Sequence, residues 1–223
     1  DKTIRLWEIV TGRQVYSLTD RKNRVTCVAF SPKGESLLSG SGGVDKIVYL
    51  WDLASGVEQK HFTGHTDWIS SVAFSPNGLL AISASGDKTA RIWELSTGQH
   101  LMSLTGHNDW VTKAIFSPDG MLVATCSVDK TVRFWNWKTG SVVGELQGHA
   151  HWVWDISFSR DGHYLASSGR DGAVQVWDVK TSETKRTIID RQGWIYAVAL
   201  SPDSKRLVYG GESKVIQVFK LDE

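Results

Sequence analysis

The stretch from Gly64 to Ser103, GHTDWISSVAFSPNGLLAISASGDKTARIWELSTGQHLMS, decides how the rest of the chain is read. Ile69 to Phe74 is a short apolar and β-branched run, closed by the turn signal Ser75-Pro76-Asn77-Gly78. Leu79 to Ala84 is a second such run, ended by Ser85-Gly86-Asp87-Lys88. Ala90 to Leu95 alternates, Ser96-Thr97-Gly98 turns the chain again, and His100 to Leu104 is a fourth short run. Nothing here has helical length or period. Four strands with a turn between each pair make one unit of an antiparallel sheet.

The unit repeats. Trp51, Trp93, Trp135 and Trp177 are each 42 residues apart, with Trp7 lying 44 residues before the first and Phe219 lying 42 after the last. The two additional residues fall in Ser41-Gly42-Gly43-Val44. The first turn recurs as SPKG, SPNG, SPDG, SRDG and SPDS, and the third as VTG, ASG, STG, KTG and KTS. A period of this length with four strands per unit predicts an all-β radial array, a β-propeller of four-stranded antiparallel blades. The expected order is a partial blade over 1–20, complete blades over about 21–64, 65–106, 107–148 and 149–190, and a partial blade over 191–223. Four complete blades and two partial ones suggest a segment of a ring with six, seven or more blades. Either flanking sequence completes that ring or the exposed edge strands near Thr3 to Trp7 and Val215 to Phe219 pair in an open or swapped assembly.

Composition narrows the classes of function. The 223 residues carry 25 basic and 24 acidic side chains for a net charge of +1, so there is no electrostatic footprint for nucleic acid. No apolar run reaches membrane-spanning length and no leader pattern opens the chain. Two cysteines make no disulfide framework, which favours a reducing, cytoplasmic setting.

Gly-His before the first strand, Asp six residues ahead of Trp, and Trp-Asp or Trp-Glu closing the third strand resemble the WD-repeat β-propeller family, in register over the whole chain. The resemblance implies a hydrogen-bonded tetrad in each blade. Three blades carry all four members: His65, Ser83, Asp87 and Trp93; His107, Thr125, Asp129 and Trp135; His149, Ser167, Asp171 and Trp177. Arg21 stands where the preceding repeat would have His, and an Arg21–Asp45 pair is a candidate substitute. Arg191, Tyr209, Ser213 and Phe219 replace the whole set in the last repeat. The tetrads imitate a Ser-His-Asp triad, but a hydrolase uses one triad at one open site, and a constellation repeated in each blade is a structural device. No catalytic residue, metal ligand or cofactor is expected; His149-Ala150-His151 looks like a metal pair, but its first member already serves a tetrad.

Eleven Trp is far above the usual complement for a chain of this size. Trp137 falls at an apolar position of the third strand and is expected in the core. Trp68, Trp110, Trp152 and Trp194 recur every 42 residues just before the first strand, with Arg24 at the equivalent position of the earlier repeat. Two residues later come Thr26, Ser70, Thr112, Trp154 and Tyr196. In proteins resembling this one, both positions border the mouth of the central channel and contact inserted peptides. Two readings stand: the indoles pack as a lid over the blade edges, or they form a binding mouth. For the second, Trp152, Trp154, Trp194 and Tyr196, rimmed by Arg170 and Glu212, make the preferred sector, suited to a cationic group such as Arg, with Asp155 as a further carboxylate. The resemblance implies a non-catalytic scaffold or sensor that binds a protein or peptide, within a larger multidomain signalling protein or complex. The alternative is a lectin-like propeller that stacks sugars on the Trp ring.

Overall fold

The computed structural model describes residues 2–19 and 24–221, which form strands and turns without a helix. Consecutive strands pair, so each sheet is an antiparallel meander with no crossover. The first sheet holds β1 (Thr3–Trp7) and β2 (Gln14–Thr19). Next come β3 (Arg24–Phe30), β4 (Ser36–Gly42), β5 (Val48–Asp52) and β6 (Glu58–Phe62). The third sheet holds β7 (Ile69–Phe74), β8 (Leu80–Ser85), β9 (Thr89–Glu94) and β10 (His100–Thr105). The fourth holds β11 (Val111–Phe116), β12 (Leu122–Ser127), β13 (Thr131–Asn136) and β14 (Ser141–Gln147). The fifth holds β15 (Val153–Phe158), β16 (Tyr164–Gly169), β17 (Ala173–Asp178) and β18 (Thr184–Ile189). The last holds β19 (Ile195–Leu200), β20 (Arg206–Gly211) and β21 (Ile216–Lys220). These are propeller blades, and their strands start and end within a residue or so of the runs visible in the sequence.

A single blade cannot bury both of its faces, so the core lies between blades. Leu38, Leu50 and Phe62 of one blade meet Ile69, Val72, Ala81 and Trp93 of the next. The same layer recurs where Ile82, Ile92 and Leu104 meet Val111, Phe116, Val123 and Trp135. It recurs again where Phe134 and Leu146 meet Val153, Ile156 and Trp177. Cys126 belongs to that last layer, and burial pushes its thiol up to about 12, which makes it an inert core residue. Trp137 packs partly buried against the layer before it and donates its indole N–H to Gly120 O at 3.0 Å.

One irregularity positions the candidate site. The ladder between the first and second strands of each blade slips by one residue between Val25 and Cys27, Ile69 and Ser71, Val111 and Lys113, Val153 and Asp155, and Ile195 and Ala197. The residues left over at these bulges are Thr26, Ser70, Thr112, Trp154 and Tyr196. A bulge takes its residue out of the alternation and re-aims the side chain. The second mouth position is therefore built into the register of the sheet.

Candidate functional site

The tetrads form the frame of the mouth. His65 Nδ1 lies 2.7 Å from Asp87 and its Nε2 lies 2.8 Å from Ser83 Oγ, to which Trp93 donates its indole N–H at 2.9 Å. The corresponding distances are 2.8, 2.7 and 2.8 Å for His107, Thr125, Asp129 and Trp135. For His149, Ser167, Asp171 and Trp177 they are 2.9, 2.8 and 2.8 Å. The donors close in one way: Nδ1–H donates to Asp, the hydroxyl donates to Nε2, and the indole, which can only donate, fills the hydroxyl oxygen.

Each tetrad Asp does a second job. Asp87 accepts the backbone N–H groups of Thr66 and Thr89, Asp129 those of Asn108 and Thr131, and Asp171 those of Ala150 and Ala173. Burial alone would raise these carboxyls, but the hydrogen bonds they accept from His and from the backbone outweigh it and hold all three below the usual range. The loop entering the blade is thus fastened to the turn between its second and third strands. That turn is fastened again one residue earlier: Gly86, Val128, Arg170 and Glu212 donate their N–H to the carbonyls of Trp68, Trp110, Trp152 and Trp194 at 2.8–3.0 Å.

Chemistry at the tetrads is sterically closed. Ser83 and Ser167 are wholly buried, Thr125 is 1% exposed, and each oxygen already holds an indole N–H. A nucleophile needs an approach for its substrate, and these have none. The first complete blade keeps the Trp51 N–H to Ser39 Oγ bond at 2.8 Å, while Arg21, and with it the expected Arg21–Asp45 pair, lies outside the described residues. In the last blade Tyr209 stacks on Phe219 with ring centroids 5.8 Å apart, an apolar contact in place of the tetrad.

The indole series is not uniform around the mouth, and the residue before the tetrad Asp sets the difference. Where it is Gly86, Trp68 lies so close that a Cβ would fall 2.6 Å from its Nε1, and Trp68 meets Trp110 of the next blade edge to face at 5.8 Å. Where it is Arg170, the guanidinium carbon lies 4.4 Å from the ring centroid of Trp152 and 4.0 Å from that of Trp194. Trp152 then contacts Trp154 at 5.4 Å, Trp154 contacts Tyr196 at 6.4 Å, and Tyr196 contacts Trp194 at 6.4 Å. Arg170 closes a continuous circuit of four aromatic rings from two blades. Trp110 and Tyr196 are the most open aromatic members of the mouth series, at 41% and 45% exposure. The slot that suits a partner's arginine is filled by the chain's own.

The second mouth position divides the face in two. Ser70 donates to Val111 O at 2.5 Å and Thr112 to Val153 O at 2.7 Å, so in those blades a hydroxyl stitches one blade to the next. Trp154 and Tyr196 carry no such stitch; the Trp154 indole N–H is buried without an acceptor among the described residues, and Tyr196 donates its O–H to Glu212 at 3.4 Å. Asp155 does not join the aromatic sector. Its carboxylate receives the Lys113 ammonium at 2.5 Å and the Val198 N–H at 2.9 Å, bridging the first strands of three blades. Glu212 caps the Trp194 N–H at 3.1 Å, a role that its place one residue before Ser213 does not disclose. At the other end of the arc, a cleft of about 700 Å³ lies among Arg24, Thr26, Gly42, Asp67 and Trp68.

Comparison with known proteins agrees with the architecture. Residues 41–223 match a family model described as the IFT122 first beta-propeller, and residues 12–52 match that of the WD domain, G-beta repeat. A stretch of 39 residues is 51% identical to the nuclear distribution protein PAC1 of Mycosarcoma maydis. That match covers 18% of this chain and 9% of that protein.

Proposed function

The chain belongs to the WD-repeat β-propeller family, and from that premise we propose that it is a non-catalytic interaction module whose partner, a protein or peptide, docks on the channel-mouth face. Propellers of this family generally mediate protein–protein interactions and are generally not catalysts. The observation that carries the finer assignment is the aromatic circuit of Trp152, Trp154, Tyr196 and Trp194, closed by Arg170. Rigid aromatic groups with polar handles, already packed on one another and still partly open to solvent, are what binding hot spots are made of. Such a module works inside a larger multidomain protein or complex in the cytoplasm.

A lectin-like role fits less well. Sugars stack on open indole faces, and Arg170 lies over both Trp152 and Trp194. Panning the immobilised protein against a displayed peptide library and, in parallel, a glycan array separates the two classes. Peptides retained by the wild type and released by Trp152→Ala/Trp194→Ala support the assignment. Retention of glycans alone would replace it with the carbohydrate reading.

A further inference from the structure

We propose that the Trp152–Arg170–Trp194 clasp is a receptor for one oxyanion carried on a peptide: the carboxylate of an acidic side chain, or the phosphate of a phosphorylated one. This rests on the mouth being the docking face and deepens that reading by giving the ligand a charge.

A guanidinium has two faces, which aromatic rings cover, and an edge of five N–H donors, which recognises planar or tetrahedral oxyanions in pairs. Arg170 has its faces engaged by two indoles at 4.4 and 4.0 Å. Among the described residues no carboxylate lies within ion-pair distance of it, and no acceptor takes its guanidinium N–H groups. Lys113 pairs with Asp155 at 2.5 Å and Arg133 with Glu145 at 3.0 Å, whereas Arg91 has no carboxylate partner among the described residues and its Nε is buried without an acceptor. Glu212, the acid at the equivalent position of the next blade, is already committed to the Trp194 N–H and the Tyr196 hydroxyl.

The neighbouring positions have shed negative charge. The residue before the ring Trp is Asp67 and Asp109 in the two preceding blades, where each carboxylate accepts the Trp N–H that follows it. In the Arg170 sector the same positions hold His151, whose Nδ1 accepts the Trp152 N–H, and Gly193. The position of Arg170 itself holds Val44, Gly86, Val128 and Glu212 in the other blades, so the stacked cation belongs to this sector alone. A long side chain pinned by two rings has already given up its rotamer freedom, so its edge is pre-organised for a partner. Trp154 and the half-exposed Tyr196 supply apolar surface for the residues that flank the acid.

The test uses arrayed nonapeptides with Glu, phosphoserine, Gln or Arg fixed at the centre and the flanks randomised. The account expects Glu- or phosphoserine-centred peptides to be captured about tenfold or more over Gln-centred ones, with capture weakening as salt rises. Preference within the acidic pair identifies the source of the oxyanion. Arg170→Gln abolishes the acid preference at a temperature where the variant remains folded, and Arg170→Lys, which keeps the charge but not the fork, retains part of it. Equal capture of Glu and Gln peptides, or preference for Arg, overturns the inference in the wild type without recourse to any variant. If that charge-blind capture still needs Trp152 and Trp194, the docking face survives and only the oxyanion fails. An acid preference that persists in both Arg170→Gln and Trp152→Ala/Trp194→Ala overturns both, as does capture from none of the arrays.

Discussion

The carboxylate of Asp171 accepts the backbone N–H of Ala150 at 2.8 Å, which joins the turn carrying Arg170 to the loop carrying Trp152. Frame and mouth are one hydrogen-bonded unit, so titrating the frame loosens the mouth. Asp87, Asp129 and Asp171 are all held below the ordinary carboxylate range when folded. A depressed folded value contributes stability that is complete above the unfolded value and lost as pH falls toward the folded one. The contribution of these carboxylates to the urea midpoint should therefore be complete down to about pH 5 and fall away steeply below about pH 4. Asp87→Asn should be less stable at neutrality and show a shallower acid limb; an unchanged limb would contradict the assignment.

Ser83 Oγ serves two buried partners, the Trp93 N–H and His65 Nε2. Ser83→Ala orphans both, and each buried orphan costs about 1–3 kcal/mol. Ser39→Ala removes the acceptor of the Trp51 N–H in a blade without the His, and should cost less than Ser83→Ala. Denaturant midpoints of the two variants check the order.

Asp155 ties Lys113 and the Val198 N–H into one contact across three blades. Asp155→Ala should destabilise by about 1–3 kcal/mol and speed exchange of the Val198 amide. Asp155→Asn keeps an oxygen for Val198 and should leave that amide protected. Equal exchange in both variants would show that the carboxylate does not hold the strand.

The residue after the tetrad Asp is left-handed in each blade: Lys46, Lys88 and Lys130 at φ 54, 71 and 76°, and Gly172 at 72°. Lysine tolerates this at a cost of about 1 kcal/mol, so Lys88→Gly should change stability by less than that. Gly172 is different, because a Cβ there would lie 2.6 Å from the Asp190 carbonyl and 3.0 Å from that of Gly193. Gly172→Lys should cost about 2 kcal/mol or more, since the backbone at 190–193 must move. Thermal melts of the pair measure the asymmetry.

The frame is legible in the sequence because it is periodic: His65, Ser83, Asp87 and Trp93 recur at fixed offsets, and each strand starts where a turn signature ends. What periodicity does not carry is where a side chain goes once two blades meet. Trp154 occupies the same bulge position as Thr112, but the bulk of its ring puts an aromatic contact where Thr112 makes a stitch. Arg170 appears in the sequence as a rim residue; its place over two indoles depends on the spacing between blades. The series Gly86, Val128, Arg170, Glu212 was the available signal, because the size of that residue decides whether neighbouring indoles touch. Asp155 faces away from the aromatic sector because Lys113, 42 residues earlier on the neighbouring strand, supplies its counter-charge.

The most direct test of the docking face is affinity capture with the protein in its native setting, comparing wild type with Trp152→Ala/Trp194→Ala and with the milder Tyr196→Ala. The account predicts a partner recovered by the wild type, weakened by Tyr196→Ala and lost from the double variant at a temperature where both variants remain folded. The same partner recovered at full yield from the double variant would contradict it, and would make the aromatic circuit a packed lid.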